Sequence, residues 1–127
     1  MRPGTELPIL VIAMMLLPGW ALAQGRDAAD AYHRMKGREI ASRFIGMELT
    51  DEIHWAYVFE KGGHLKSVAM GKAGTGTWKV DKDELCLNRP PDEPRCYEVW
   101  NSGTKVQLRY EPALPEEGIL QKPQKRQ

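Results

Sequence analysis

The sequence predicts a mainly β fold, either a small antiparallel meander or a partly open barrel, with one or two short helices at its N-terminal end. Three observations predict this fold class. Apolar and polar residues alternate with a period of two between positions 53 and 110, as they do in half-buried strands. Glycine, proline and asparagine mark tight turns between these runs. The chain of 127 residues is long enough for one domain only.

The N-terminus has the three regions of a cleavable signal peptide in residues 1–23. A short basic head is followed by an uninterrupted apolar run at residues 9–17 and by the small-residue triplet Ala21-Leu22-Ala23. A membrane-spanning helix needs about 20 apolar residues, roughly twice this run, so we expect cleavage before Gln24 and no stable membrane anchor. The sequence therefore predicts a periplasmic or secreted protein.

Two short helical patterns follow the predicted cleavage site. The first runs from Asp27 to Lys36, with acids first and bases last, which suits the helix dipole. It makes residues 24–37 a helical lead-in. The second runs from Arg38 to Ile45 and ends at Gly46, and we expect it to cover one face or one open end of the sheet. Its predicted apolar face comprises Ile40, Ala41, Phe44 and Ile45.

Six strands are predicted within residues 38–111, which form the predicted β domain. The glycine-rich segment Gly71–Gly76 is interpreted as a connector between two of them. Because a flat sheet would leave its apolar face in water, we expect the meander to curl. Residues 112–127 contain many helix and strand breakers, which predicts an irregular tail. The six strands comprise residues 53–60, 65–70, 77–81, 84–88, 95–100 and 104–110.

The two cysteines, Cys86 and Cys96, are predicted to form a disulfide. An even number of cysteines is typical of a disulfide in an exported chain. A hairpin folded about Pro91 places the two residues directly opposite each other, where their Cβ atoms are close enough to be bridged. There is no C-x-x-C motif and no nearby histidine, which argues against a redox pair or a metal site. Trp78 is a candidate for packing against the bridge.

The order of aromatic, glycine and cysteine positions over residues 38–110 forms a recognisable pattern. It runs through Gly46, Leu49-Thr50-Asp51, His54-Trp55, Gly76–Val80, Leu85-Cys86-Leu87 and Cys96–Trp100. This pattern resembles a group of small exported proteobacterial proteins of unknown function. The resemblance implies a compact periplasmic β domain with a lipocalin-like curl. It implies no reaction, and no functional residue is transferred from it.

Charge and motif content argue against several function classes. Of the 18 basic and 17 acidic residues, Arg2 and Glu6 lie in the predicted signal peptide, and the others are interleaved along residues 24–127, so no basic stripe is available for nucleic acid. The sequence contains no H-E-x-x-H, no G-x-S-x-G and no phosphate-binding glycine loop. We therefore expect no catalytic residue, no metal site, no cofactor and no nucleic-acid partner.

Two weaker candidates for chemistry remain. A zinc site would need His33, His54 and His64, which only folding could bring together. Asp51 and Glu52 with His54 have the residue types for metal binding or for acid–base chemistry. Separate surface residues and an acidic turn are the simpler interpretations, because acids commonly lie at helix-to-strand turns.

The aromatic residues suggest where a partner would bind. Most of them are expected in the core, but Trp55, Tyr57 and Trp100 are candidates for a ligand or partner surface. We therefore predict a non-enzymatic binding or interaction module whose partner is an envelope protein or a small apolar ligand. The alternative is an inhibitor of a secreted or periplasmic hydrolase, acting through the loop Arg89–Arg95, which the disulfide holds at both ends.

Overall fold

The computed structural model describes Gly4 and residues 31–125, so the predicted signal peptide, apart from Gly4, lies outside the described residues. Within this part of the chain there are nine strands and one helix. In chain order they are β1 (His33–Arg34), α1 (Gly37–Phe44), β2 (Glu48–Thr50), β3 (Trp55–Phe59), β4 (His64–Ala69), β5 (Lys72–Asp81), β6 (Glu84–Asn88), β7 (Arg95–Ser102), β8 (Lys105–Arg109) and β9 (Glu116–Gln121).

Strands β2 to β9 form a closed antiparallel barrel of eight strands. Each strand pairs with the next one along the chain, and β9 also pairs with β2, which closes the barrel. Residues that alternate along each strand point alternately into the barrel and out of it. The predicted mainly β, antiparallel fold is confirmed, and the sheet closes completely.

Strand β9 shows that the prediction of an irregular tail over residues 112–127 is wrong. Glu116 and Gly118 pair with Leu108 and Val106 of β8, and Leu120 pairs with Leu49 of β2. A strand with a partner on each side has its backbone hydrogen bonds satisfied by the barrel, which outweighs the low strand propensity of its glycine and glutamates. The last strand therefore closes the fold.

Strand β1 lies in the segment predicted as a helical lead-in. It pairs with Trp100 and Asn101 of β7. On that side β6 pairs with β7 only as far as Glu98, so the rest of the edge of β7 is open and β1 fills it. The helix predicted over residues 27–36 is therefore wrong for its described part, which starts at residue 31.

Helix α1 closes one end of the barrel. Ile40 and Phe44 are completely buried, and the Phe44 ring meets Phe59 of β3 edge-on with 5.0 Å between ring centroids. The predicted apolar face is confirmed for these two residues. Ala41 and Ile45 are exposed instead, because the helix lies across the barrel end and only a narrow stripe of it faces the core.

Polar contacts fix α1 to the turns at this end. The backbone N–H of Gly37 donates to Asp83 Oδ1 over 2.8 Å, and Arg43 Nη2 donates to the carbonyl of Gly103 over 2.9 Å. Gly46, the predicted stop, lies two residues after the end of the helix and has a φ of +75°. No helix in the described part of the chain has the length and apolar character needed to cross a membrane.

The middle of the barrel is filled by side chains. An eight-stranded barrel has an interior just wide enough for side chains, and the apolar residues of alternate positions occupy it here. The buried core comprises Met35, Ile40, Phe44, Leu49, Tyr57, Phe59, Leu65, Leu85, Leu87, Tyr97, Val99, Val106, Leu108 and Leu120.

The segment Gly71–Gly76, predicted as a connector, instead belongs mainly to β5. Gly74 and Gly76 pair with Ser67 and Leu65 of β4. A Cβ at position 76 would collide with the carbonyl of Asn88. Glycine at this position therefore permits the close approach of β5 and β6, which the sequence pattern alone does not reveal.

The predicted disulfide between Cys86 and Cys96 is present. The two residues are directly opposite each other on β6 and β7, as the hairpin model predicts. Their neighbours Leu85 and Leu87 point into the core, so the bridge lies on the outer surface of the barrel. Trp78 pairs with Leu87 and points inward, where its ring meets that of Phe59 edge-on at 5.5 Å. The expectation that Trp78 packs against the bridge is wrong, because the two lie on opposite faces of the sheet.

Candidate functional site

The two ends of the barrel differ in how they are covered. Helix α1 lies across the end where β3–β4, β5–β6 and β7–β8 are connected. At the other end, termed the mouth, no helix of the described residues lies across the opening. The mouth is bordered by residues 51–54, 70–71, 89–94 and 110–115.

An arginine points into the mouth. Arg89 follows the inward-facing residues Leu85 and Leu87 at the same two-residue period. Its Nη1 donates a hydrogen bond to the hydroxyl of Tyr57, and its Nη2 donates one to the hydroxyl of Tyr97 over 2.8 Å. Only 19% of the Arg89 side chain is exposed. A buried charge loses its contacts with water and needs polar groups to replace them. The two hydroxyls provide part of this replacement for Arg89.

One carboxylate faces this arginine. Glu116 Oε1 lies 3.9 Å from Arg89 Nη1, which is an ion pair but is longer than a hydrogen bond. Glu116 is the first residue of β9 and lies opposite the core residue Leu108, so it points inward as well. About a third of its side chain, 32%, is exposed. Glu116 therefore partly neutralises the charge of Arg89 without forming a hydrogen bond to it.

Trp55 extends the site toward solvent. Its ring stacks on that of Tyr57, with 4.9 Å between centroids and 27° between planes. Trp55 is partly exposed, whereas Tyr57 is buried. The structure thus brings together two of the three aromatic residues predicted to form a ligand or partner surface.

Trp100, the third predicted surface residue, lies elsewhere. It points out of the barrel from β7, where the guanidinium of Arg109 lies 4.1 Å from the ring centroid and Nε1 donates to Glu98 Oε1 over 3.0 Å. An open groove of about 650 Å³ borders it, with Tyr110 and Glu111 also among its lining residues. Trp100 therefore points to the outer surface of the barrel, and the groove beside it reaches the rim of the mouth at Tyr110 and Glu111.

A second arginine lies at the rim of the mouth. The guanidinium of Arg95 lies 4.4 Å from the ring centroid of Tyr110, whose ring in turn meets that of Tyr97 at 6.1 Å. An open groove of about 450 Å³ joins Arg95 to Arg89 on the solvent side. Arg89 is therefore reached from solvent through this groove, whose other lining residues are Asp92 and Glu93.

Burial raises the pKa of both tyrosine hydroxyls at the mouth. It raises the pKa of Tyr57 to about 12, although the nearby charge of Arg89 acts in the opposite direction. Burial and the charge of Glu116 also raise the pKa of Tyr97. At neutral pH the mouth thus holds a charged guanidinium between two neutral hydroxyl groups.

Asp51, one of the residues predicted as candidates for acid–base chemistry, holds a loop in place. Burial would raise the pKa of Asp51, but the backbone N–H groups of Trp55, His54 and Ile53 all donate to its Oδ1 and hold this pKa well below its usual range. Its Oδ2 lies 2.8 Å from His54 Nδ1. Glu52 is exposed and takes no part in these contacts. The carboxylate thus fixes the loop that carries Trp55.

The three histidines do not meet. His54 lies at the mouth, His64 begins β4 at the opposite end, and His33 is on β1. Among the described residues there is no group of three or more His, Cys, Asp and Glu side chains that is arranged to hold a metal ion. The zinc candidate therefore has no geometric support in this part of the chain.

Sequence reasoning missed three members of the site. The sequence places Arg89 only at the end of a loop and Tyr97 only among the aromatic residues expected in the core. It places Glu116 in a tail predicted to be irregular. The available signal was the two-residue period of Leu85 and Leu87, which continues to Arg89. Nothing comparable marked Glu116, because its position depends on closure of the barrel.

Comparison with protein-family models, curated proteins and solved structures found no match for this chain. The resemblance to small exported proteobacterial proteins therefore stays a prediction. The function is therefore inferred from the geometry of the mouth and of the outer surface.

Proposed function

We propose that this protein is a non-enzymatic binding module of the periplasm or the extracellular space, and that its binding site is the mouth of the barrel. The observation that carries the proposal is the difference between the two ends. One end is closed by α1, whereas the other presents the partly exposed Trp55 stacked on Tyr57, next to the buried guanidinium of Arg89. An apolar surface with a few convergent polar groups is typical of ligand sites.

The packing of the barrel supports a small ligand bound near the rim. Side chains fill the barrel from α1 up to Tyr57 and Tyr97, so a long apolar tail would have to displace the core. A molecule that lies on the ring of Trp55 and reaches Arg89 needs no such rearrangement. This is a narrower version of the small apolar ligand that the sequence predicts.

Indole N–H signals in NMR spectra of the ¹⁵N-labelled mature protein, whose predicted start at Gln24 leaves out Trp20, test the location of the site. Trp55 reports on the mouth and Trp100 on the outer surface. Trp78 reports on the interior, where its Nε1 donates to the carbonyl of Glu60 over 2.9 Å. We expect a panel of small neutral and charged aromatic molecules to contain compounds that shift the Trp55 signal and leave the other two unchanged. A panel that shifts none of the three, or only Trp100, would contradict the proposal.

A matched pair of variants accompanies this titration. Trp55→Ala removes the partly exposed ring at the mouth and is expected to weaken binding by tenfold or more. Trp100→Ala removes an outer ring that contacts Arg109 and is expected to leave binding unchanged. Equal losses in the two variants would indicate a general effect on stability.

An inhibitor of a secreted or periplasmic hydrolase is the second candidate function. The segment 90–94 is exposed at every residue, while its base is held by the Cys86–Cys96 bridge and by the hydrogen bonds of Arg89. A preorganised, exposed loop suits insertion into an active site. Replacing residues 90–94 by a Gly-Ser linker should abolish inhibition of a target hydrolase and leave the Trp55 response intact. Retained inhibition in that variant would exclude the loop.

A further inference from the structure

We infer that the mouth selects a small monocarboxylate carried on an apolar body, whose carboxylate takes the place of Glu116 beside Arg89. The inference rests on the binding site proposed above and adds the chemical class of its ligand. It follows from the donors that converge at the mouth, from the loose pairing of Glu116, and from the aromatic surface next to them.

Three hydrogen-bond donors, the guanidinium of Arg89 and the hydroxyls of Tyr57 and Tyr97, lie next to one another at the mouth. The hydroxyl oxygens of Tyr57 and Tyr97 accept hydrogen bonds from Arg89, which leaves each hydroxyl its own proton to donate. A carboxylate has two oxygens and accepts several hydrogen bonds, so one such group can satisfy the guanidinium and both hydroxyls together.

Glu116 is placed to be exchanged for a ligand carboxylate. It is too far from Arg89 for a hydrogen bond, at 3.9 Å, and its side chain is one-third exposed. A ligand carboxylate that displaces it leaves the charge balance at the arginine unchanged. Because Glu116 can turn toward solvent when this happens, the exchange leaves no buried carboxylate without a partner.

The other charges around the mouth lie further out. Arg95 also acts on the hydroxyl of Tyr97 and adds a second positive charge at the rim. Asp92 and Glu93 border the groove that leads to Arg89, but they are exposed, so water and salt screen them more strongly than the buried guanidinium. Arg89 is therefore the least exposed of these four charged groups.

The aromatic pair of Trp55 and Tyr57 determines which apolar body the carboxylate of the ligand is attached to. The ring of Trp55 stacks on Tyr57, whose hydroxyl belongs to the donor group. A flat apolar body attached to the carboxylate can therefore lie on Trp55 while its charged end meets Arg89. Its length is limited, because buried side chains fill the barrel below.

Isothermal titration calorimetry with three compounds of one shape tests the charge preference. The compounds are 3-phenylpropionate, its neutral amide and 3-phenylpropylamine, and inorganic phosphate serves as an anion without an apolar body. We expect the acid to bind at least about tenfold more tightly than the amide, as charge-assisted hydrogen bonds to arginine allow. Equal or tighter binding of the amide, the amine or phosphate would overturn the inference.

Variants at the mouth test which groups recognise the carboxylate. Arg89→Met is expected to remove the preference for acid over amide, and Arg89→Lys to keep only part of it, because lysine has no planar fork. Glu116→Gln is expected to strengthen binding of the acid several-fold, since the competing carboxylate is gone. Unchanged acid binding in both Arg89→Met and Glu116→Gln would overturn the inference.

Matched controls lie on the outside of the barrel. Glu117, the next residue of β9, points outward and accepts a hydrogen bond from Tyr32, so Glu117→Gln should leave acid binding unchanged. Arg109→Met removes an arginine stacked on Trp100 and should do the same. A shift of the Trp55 signal by the amide but not by the acid would contradict only the ligand class, whereas no shift with any compound would contradict the binding site itself.

Discussion

Gly118 of β9 lies directly against the indole ring of Trp55. A Cβ atom at position 118 would be 2.9 Å from Trp55 Cη2 and 2.8 Å from the carbonyl oxygen of Thr50. The ring of Trp55 thus reaches from β3 past the end of the three-residue strand β2 to the backbone of β9. β9, the last strand of the barrel, therefore forms part of the surface against which the Trp55 ring packs.

Gly118→Ala is expected to destabilise the fold by about 1–3 kcal/mol, because the new methyl group meets a backbone carbonyl that cannot move independently of β2. Urea denaturation of the variant and of the wild-type protein measures this difference. Gly74→Ala is the control, since its Cβ would meet only the rotatable hydroxyl of Ser67 at 2.9 Å. Equal stability of the two variants would contradict the close approach of Gly118.

Replacing both Cys86 and Cys96 by alanine is expected to lower the free energy of unfolding by about 3 kcal/mol while preserving the β-sheet signal in circular dichroism. The bridge closes a short loop, with a sequence separation of 10, and lies on the outer face of the barrel, away from the core cluster in its interior. Urea denaturation in the presence and absence of a reductant measures the effect. Reductant should destabilise the wild-type protein and not the variant. Loss of the folded signal in the variant would show that the bridge is needed for folding itself.

The stability of the fold is expected to fall between about pH 10 and pH 12. The pKa of Tyr57 is raised from 10.0 to about 12, so over this range the folded state retains a proton that the unfolded state has lost. The stabilisation is complete below pH 10 and disappears as the pH rises through the higher value. Urea denaturation across this range in wild-type protein and in Tyr57→Phe measures it. Tyr110→Phe, which changes an exposed ring, is the control. An identical pH dependence in wild type and Tyr57→Phe would contradict the burial of this hydroxyl.

Expression of the full chain in a bacterium with a periplasm is expected to yield a protein that begins at Gln24. The apolar run at residues 9–17 and the following Ala21-Leu22-Ala23 predict this cleavage. Intact-mass spectrometry of the periplasmic fraction measures it. Replacing Ala23 by arginine should block cleavage without changing the folded domain. A wild-type protein that retains Met1 and stays in the cytoplasm would contradict the predicted export.

Those parts of the fold that depend on local alternation could be predicted from the sequence. Trp55, Tyr57 and Phe59 follow one another at a two-residue period and all face inward. The hairpin that joins Cys86 to Cys96 depends on a turn of a few residues, and its register was predictable for the same reason. In each case a short segment contains the whole signal.

Those parts that depend on distant partners could not be predicted. Strand β2 has three residues, too few for a recognisable period, and β9 follows a proline-rich segment and contains Gly118. Both become strands because each lies between two neighbours in the closed barrel. At the mouth, Trp55 and Tyr57 were identifiable as neighbours on one strand. Arg89 and Glu116 meet only after closure.

Isotope-filtered NOE spectroscopy of 3-phenylpropionate bound to the protein measures directly where the ligand lies. We expect contacts between the ligand ring protons and the ring protons of Trp55, with the methylene next to the carboxylate close to Tyr57 and Tyr97. Contacts to Trp100 instead, or no contact with Trp55 at a ligand concentration that saturates the protein, would contradict a carboxylate site at the mouth.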